Sequence, residues 1–185
     1  MRTKIVAGNW KMNKTFEEAD TLIFEITDLL EEKGKPDDVD VILCPPFIYL
    51  ELAGDITEDS PVFVGAQNVS RYENGAYTGE ISASMLRSMH IDFAIIGHSE
   101  RRKYFSESDE ELLGKVKAAL KEDIAPIFCC GELLEERETR QHFDIVRSQL
   151  ENTVFQLEPD DFARVIIAYE PVWAIGTGIN ATSDQ

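Results

Sequence analysis

The chain has 185 residues, of which 43% are hydrophobic and 29% are charged, an ordinary composition for a soluble globular domain. Its formal net charge of −17 argues against nucleic acid and against an anionic membrane as partners, because both would be repelled at long range. A phosphorylated small molecule would need a local positive group, such as a lysine or a helix N-terminus.

The cysteines and the N-terminal segment bear on the cellular compartment. There are three cysteines, and two of them, Cys129 and Cys130, are adjacent, which makes a poor disulfide framework. The N-terminus enters a strand-like segment without a signal-peptide apolar region, and no stretch approaches the roughly 20 apolar residues of a membrane span. We therefore expect a cytoplasmic protein with no membrane partner.

Short apolar segments alternate with longer amphipathic ones along the chain. Strands are predicted at residues 5–10, 39–44, 62–66, 93–97, 125–130 and 165–169. Several of them contain continuous apolar runs, which is typical of parallel strands that are buried on both faces.

Helices are predicted between these strands. Thr15 and Glu18 form a capping-box pattern that opens a helix running through Leu30. Ser108 opens a second helix, a shorter one covers residues 81–89, and a longer one spans residues 136–155. This alternation without a linker predicts one α/β domain over residues 1–185.

Two features favour a (β/α)8 TIM barrel over a doubly wound sheet. Active sites of such barrels lie at the C-terminal ends of the strands, and polar residues follow strand after strand here: Asn9, Lys11, Gln67, Asn68, His98 and Glu170. The first strand also lacks the Gly-x-Gly-x-x-Gly fingerprint of a dinucleotide-binding fold. We count six βα units where a barrel of about 250 residues needs eight, so we expect a partial barrel without strands 7 and 8.

His98 and Glu170 are the strongest candidates for acid–base chemistry. His98 follows an apolar strand and precedes a helix start, where the positive potential favours a neutral imidazole that donates a hydrogen bond. Glu170 leaves a buried strand and precedes Pro171, so its carboxylate is placed to abstract a proton. Taken singly, each also fits an ordinary strand-end or loop residue.

A loop and a lysine suggest how an anionic substrate is held. Residues 172–178 combine a bulky tryptophan with a glycine-rich tip, a pattern typical of a lid that closes over substrate. Lys11 is a candidate point charge for a phosphate or an enolate oxygen, and Asn9 is a candidate donor to the same oxygens. A solvated surface loop and a surface lysine are the alternatives.

Five segments together closely resemble the triosephosphate isomerase family, in the order and spacing of that family. The last two are long and specific, and the five segments are residues 7–13, 65–68, 75–80, 95–102 and 168–178. The resemblance implies interconversion of dihydroxyacetone phosphate and glyceraldehyde 3-phosphate in glycolysis and gluconeogenesis, with no cofactor and no metal.

The resemblance also implies roles for individual residues. Glu170 matches the base that moves a proton between two carbons, and His98 matches the neutral electrophile, a division of labour known for that family. Lys11 and Asn9 match the substrate-binding pair, and Glu100 matches the acidic neighbour of the lysine and the histidine. Gly176 matches the lid glycine whose N–H meets the phosphate.

Members of the family are dimers or larger assemblies, so the resemblance implies a homodimer. The loop after the third strand would enter the active site of the other subunit through Thr78. Glu80 would pair with Arg101 of that subunit. Cys129 matches a cysteine common in the family, and a buried, inert thiol is the preferred interpretation of it.

The six-unit count leaves three hypotheses. The favoured one is a triosephosphate isomerase without its C-terminal portion, since an open barrel exposes two sheet edges. A second is a non-catalytic truncated barrel that acts as a binding or regulatory fragment, and a third is another phosphosugar enzyme of the same fold. We expect the 185-residue chain alone to be poorly active.

Overall fold

The computed structural model of the protein describes residues 3–175 and 181–182. Six parallel strands form its sheet in the order in which they occur along the chain. Their bounds are β1 Lys4–Asn9, β2 Val39–Cys44, β3 Val62–Ala66, β4 Phe93–Ile96, β5 Ala125–Cys130 and β6 Ile166–Tyr169. All six predicted strands are confirmed, and each end lies within one residue of its predicted position.

Eight helices lie between the strands in this part of the chain. They are α1 Phe16–Lys33, α2 Leu50–Thr57, α3 Ala83–Ser88, α4 Ser99–Phe105, α5 Asp109–Lys121, α6 Leu134–Glu138, α7 His142–Glu151 and α8 Pro159–Phe162. Three 3₁₀ turns, Phe47–Tyr49, Val154–Gln156 and Val172–Ala174, complete the described elements.

The strand order decides between the two candidate folds. Each strand pairs in parallel with its predecessor, from β1 with β2 to β5 with β6. A doubly wound sheet reverses its strand order at a switch point, whereas a barrel does not. The described residues therefore form the six-stranded part of a (β/α)8 barrel, as the sequence predicts.

Both faces of the sheet carry an apolar cluster, which explains the continuous apolar runs. One face packs against the helices in a large cluster that includes Leu43, Ile96, Leu112 and Phe128. The other face carries a smaller inner cluster of Ile42, Cys44, Ile95, Ile127 and Cys129. Side chains alternate between the two faces along each strand, so successive positions in the central strands are apolar, although Phe63 of β3 is partly exposed.

Side-chain caps set the starts of α1 and α5. The Thr15 hydroxyl accepts from the backbone N–H of Glu18, while the Glu18 carboxylate accepts from the N–H of Thr15 at 2.8 Å, completing the capping box. The hydroxyl of Ser108 caps α5 in the same manner by accepting from Glu111. Both predicted starts are confirmed.

One predicted helix is wrong. Residues 136–155 form α6, α7 and a 3₁₀ turn instead of a continuous helix. Arg140 has a φ of 62°, which a right-handed helix excludes, and the N–H of Gln141 closes α6 by donating to the C=O of Glu136 at 2.8 Å.

The sequence analysis also missed α2. This helix is short and contains Gly54, which weakens a helical pattern. Its stability comes from packing, because Leu50, Ala53 and Thr57 are all buried.

A buried ionic network joins α5 to the end of β3. The ammonium group of Lys115 lies 2.5 Å from a carboxylate oxygen of Glu107 and 2.9 Å from Oδ1 of Asn68. The Lys115 and Glu107 side chains are each only 2% exposed. Arg101 adds a second positive charge, since its Nε lies 2.6 Å from the same carboxylate.

We expect Lys115→Met to lower the free energy of unfolding by about 3 kcal/mol, because it removes one of the two charges that compensate buried Glu107. Urea unfolding followed by circular dichroism measures this. Lys117→Met is the matched control, since Lys117 is exposed on the same helix and should change the value by less than about 0.5 kcal/mol. Equal, small losses in both variants would contradict the prediction.

Candidate active site

The ends of β1, β4 and β6 bring four charged or titratable side chains to one edge of the sheet. They form a continuous chain of contacts from Lys11 through Glu100 and His98 to Glu170. The segments that carry them are up to 159 residues apart in sequence, so parallel strand pairing alone places them together.

Lys11 is held in an uncommon backbone conformation just past β1. Its φ is 53°, in the left-handed region that costs a non-glycine residue about 1 kcal/mol. The Lys11 N–H donates to Oδ1 of Asn9 at 2.9 Å, and the Lys11 C=O accepts from Nε2 of Gln67 at 2.9 Å. The Lys11 ammonium donates to Oε1 of Glu100 at 2.8 Å, which aims the side chain across the edge.

His98 lies two residues past the end of β4 and is the N-cap of α4. Its Nδ1 accepts the backbone N–H of Glu100 at 3.2 Å, and this hydrogen bond requires the tautomer in which Nε2 carries the proton. Nε2 faces Glu170, at 3.5 Å from Oε2. The donor nitrogen of the imidazole is therefore directed to the carboxylate side of the site.

Glu170 directly follows β6, and hydrogen bonds hold both its backbone and its carboxylate. Its backbone N–H donates to the C=O of Cys130 at 2.8 Å, which continues the ladder between β5 and β6. Its carboxylate accepts from the N–H of Ser99 at 3.1 Å and from the Ser99 hydroxyl at 2.9 Å. The Glu170 side chain is 14% exposed, so it is largely withdrawn from water.

Ser99 is a contact residue that the sequence analysis missed. As the first residue of α4 it has a backbone N–H without an intrahelical acceptor, and such groups bind carboxylates. Its position in the sequence, between the predicted site residues His98 and Glu100, could have indicated that Ser99 belongs to the site.

A second carboxylate, Glu132, anchors the segment that follows Glu170. It is fully buried and accepts from the Tyr169 hydroxyl at 2.8 Å and from the Trp173 indole N–H at 2.9 Å. Although burial acts to raise its pKa, the hydrogen bonds from Trp173 and Tyr169 and the charge of Arg137 hold the pKa of Glu132 below its ordinary value. Burial and the same carboxylate raise the pKa of Tyr169 to about 12. The sequence analysis did not identify Glu132.

A cleft of about 570 Å³ opens beside the reactive groups. Its lining includes Ser99, Glu100, Gly131, Gln149 and Glu170. The volume is ample for a three-carbon phosphate ester, but Asn9, Lys11 and His98 are not among the lining residues, so the cleft lies on the Glu170 side of the reactive groups.

Comparison with known proteins identifies the family. A family model described as "Triosephosphate isomerase" matches residues 4–185. The chain belongs to the triosephosphate isomerase family. Proteins named triosephosphate isomerase from Cytophaga hutchinsonii, Porphyromonas gingivalis and Clostridium perfringens are 48%, 50% and 47% identical to it over 185 residues. Each alignment covers 100% of this chain and 73% of the relative.

Membership of the triosephosphate isomerase family confirms the resemblance inferred from the five motifs. It also makes the chain an enzyme of the isomerase class with a TIM-barrel fold, which agrees with the six sequential parallel strands. The sequence prediction of fold and enzyme class is therefore confirmed.

The predicted site residues fall into two groups in this triosephosphate isomerase family member. Asn9, Lys11, His98, Glu100 and Glu170 lie together at the carboxyl edge of the sheet. The proposed dimer contacts lie elsewhere: Thr78 and Glu80 are exposed on the loop between β3 and α3, and Arg101 pairs with Glu107. The predicted lid residue Gly176 lies outside the described residues.

Residues 3–175 and 181–182 contain neither a candidate membrane span nor a candidate metal cluster. No helix in those ranges is both long enough and apolar enough to cross a membrane. In the same ranges, no group of three or more His, Cys, Asp or Glu side chains is arranged to hold a metal ion.

The three cysteines are free and buried. Burial raises the pKa of the Cys44 thiol to about 12 and that of the Cys130 thiol to about 11. Burial and the neighbouring Glu170 carboxylate raise the pKa of Cys129 well above its ordinary value. Since the thiolate is the reactive form, all three should be inert in the folded protein.

We expect Ellman's reagent at pH 8 to label none of the three thiols rapidly in the folded protein, because the thiolate fraction of Cys130 is about one thousandth at that pH. In urea all three thiols should react promptly, and this serves as the internal control. Fast release of even one equivalent from the folded protein would contradict the prediction.

Proposed function

We propose that the chain interconverts dihydroxyacetone phosphate and glyceraldehyde 3-phosphate, as a step of glycolysis and gluconeogenesis and without a cofactor. The observation that carries the proposal is the position of His98. It lies 3.5 Å from the Glu170 carboxylate on one side and 3.5 Å from the Glu100 carboxylate on the other. Glu100 in turn contacts Lys11, so a proton donor, a carboxylate base and a cation share one site.

Glu170 acts as the base. It removes a proton from C1 of dihydroxyacetone phosphate, the C–H electron pair forms the C1–C2 double bond, and the carbonyl electron pair moves onto the C2 oxygen. Return of the proton to C2 then gives the aldehyde. The partly desolvated position of Glu170 and its anchored backbone favour this role, because proton abstraction needs a carboxylate placed to a fraction of an ångström.

His98 acts as the electrophile and moves the hydroxyl proton. Its Nε2–H can donate to the carbonyl oxygen and stabilise the enediolate, since Nδ1 is occupied by the backbone N–H of Glu100. The imidazole then transfers a proton between the two oxygens while Glu170 transfers one between the two carbons.

Lys11 supplies the local positive charge that a chain of net charge −17 needs for an anionic substrate. Its pairing with Glu100 keeps the ammonium group aimed into the site before substrate arrives. Asn9 uses its oxygen to hold the Lys11 backbone, which leaves its amide N–H groups as the donors toward substrate. Gly176 is proposed to donate its N–H to the phosphate.

Ser99 holds the Glu170 carboxylate in the substrate-free protein. Two donors from Ser99 occupy one oxygen each of the Glu170 carboxylate, so in this arrangement neither oxygen is directed to a substrate carbon. We infer that substrate binding moves the carboxylate from Ser99 to the substrate carbon. Lid closure over residues 172–178 is proposed to accompany this movement.

A non-catalytic binding or regulatory fragment is not favoured, because the relatives that match the whole chain are named as the isomerase. A cytoplasmic location remains a proposal. The free, buried cysteines support it, since they fit a reducing compartment.

We expect Glu170→Asp to lower kcat about 100-fold, because shortening the side chain by one methylene withdraws the carboxylate by about 1 Å from the carbon. A coupled assay in both directions measures this on the full-length protein. The control is Glu25→Asp, an identical change on the exposed side of α1. Unchanged kcat in the Glu170 variant would remove Glu170 from the role of base.

We also propose a homodimer in which Thr78 reaches the active site of a second copy and Glu80 pairs with Arg101 of that copy. The loop is well placed for this, since residues 73–80 are all exposed. Arg101 uses its Nε for Glu107, and a guanidinium group has further donors for a second carboxylate.

We expect Thr78→Arg to shift the protein toward monomer, because a longer charged side chain would not fit the pocket of a second copy. Sedimentation velocity of the full-length protein measures the change. Thr21→Arg, on the exposed side of α1, should sediment like the wild type. A wild-type sedimentation coefficient in the Thr78 variant would refute the proposed contact.

A further inference from the structure

The amide of Gln149 binds both backbone groups of a single glycine. Its Oε1 accepts from the N–H of Gly131 at 2.9 Å, and its Nε2 donates to the C=O of Gly131 at 2.9 Å. Gln149 belongs to α7, whereas Gly131 directly follows β5. A helix side chain thus takes the place that a neighbouring strand would occupy.

We call these two hydrogen bonds between Gln149 and Gly131 the amide clamp. The backbone beyond β5 needs such partners because strand pairing ends there on one side. Residues on a strand present their backbone groups to alternate sides. The C=O groups of Cys130 and Glu132 accept from Glu170 and Val172 on the β6 side. On the β4 side, strand pairing ends at the Ile96–Phe128 pair, and the backbone there must find other partners.

Side chains provide those partners. The C=O of Cys129 accepts from the Arg102 guanidinium at 3.3 Å, and the next residue on that side, Gly131, is bound by Gln149. Gln149 and Arg102 therefore extend the sheet past the end of β4, which supports the part of β5 that lies against Glu170.

Gly131 is in direct contact with the proposed base. A Cβ atom at this position would lie 1.8 Å from the backbone oxygen of Glu170 and 3.5 Å from its Cγ. No side chain fits there, so any displacement of the Gly131 backbone is transmitted to Glu170. Gln149, Gly131 and Glu170 also line the same cleft.

We propose that Gln149 is a positioning residue for Glu170 and acts through Gly131. The inference rests on the proposed function, in which Glu170 is the base. The amide clamp fixes the peptide against which the Glu170 backbone packs, and so fixes the origin of the carboxylate relative to the substrate carbon. Gln149 itself does not touch the reacting atoms.

The test is Gln149→Met in the full-length protein. Methionine has a similar length and no hydrogen-bonding amide, so the Gly131 peptide loses both partners. We expect kcat to fall about 10-fold while KM stays within about 2-fold, because misplacement of the base affects the chemical step more than phosphate binding. Gln156→Met is the matched control, since Gln156 is exposed and its side-chain amide donates to the C=O of Glu151.

A second variant and a double-mutant cycle separate positioning from a general structural role. Gln149→Glu keeps the acceptor for the Gly131 N–H and should give an intermediate kcat. If Gln149 acts through Glu170, adding Gln149→Met to Glu170→Asp should cost less than about 3-fold, because the carboxylate is already misplaced. A full 10-fold loss in that background, or a loss that follows a lowered melting temperature, would overturn the proposal.

Binding of 2-phosphoglycolate, whose carboxylate mimics the planar intermediate, gives a readout that does not need turnover. We expect calorimetry to show about 10-fold weaker binding to Gln149→Met and unchanged binding to Gln156→Met. Unchanged kcat and unchanged binding in Gln149→Met overturn the positioning role alone. Unchanged kcat in Glu170→Asp overturns the proposed function instead, so the two failures are distinguishable.

Discussion

The candidate active site depends on parallel pairing of neighbouring strands in chain order. Because every strand runs in the same direction, the carboxyl ends of β1, β4 and β6 meet at one edge, and residues far apart in sequence come into contact there. The pairing also fixes the register of the last strand, since the N–H of Glu170 continues the ladder by donating to Cys130. That bond sets the height of the Glu170 backbone above the sheet, and Ser99 then holds its carboxylate.

Around this edge an ion pair and hydrogen bonds hold flexible side chains in place. Lys11 is paired with Glu100, and Glu170 is held by Ser99. These contacts restrict the rotamers of the Lys11 and Glu170 side chains. Where pairing with β4 ends, the side chains of Arg102 and Gln149 donate hydrogen bonds to the backbone C=O groups that follow in β5 and beyond it. The arrangement places a directed cation, Lys11, at the site of a strongly acidic molecule, which gives an anion a local point of attraction.

Much of the fold followed from sequence because the signals are local. A buried parallel strand is a continuous apolar run, and Thr15 and Ser108 mark helix starts through bonds to residues three positions away. The break near Arg140 and the packing-dependent α2 gave weaker local signals and were missed. In the site, motif matching found Lys11, His98 and Glu170. It did not find Ser99, Glu132 or Gln149, whose contacts join segments that only tertiary structure brings together.

The order of the strands also determines the order in which the groups of the candidate site appear as the chain is made. Each strand pairs with the one synthesised before it, so the sheet can grow from the N-terminus without waiting for distant segments. Lys11 and His98 precede β5 in the chain, whereas the proposed base, Glu170, directly follows β6. Glu170 is therefore synthesised after the other groups of the candidate site. A nascent chain that stops before β6 lacks the proposed base.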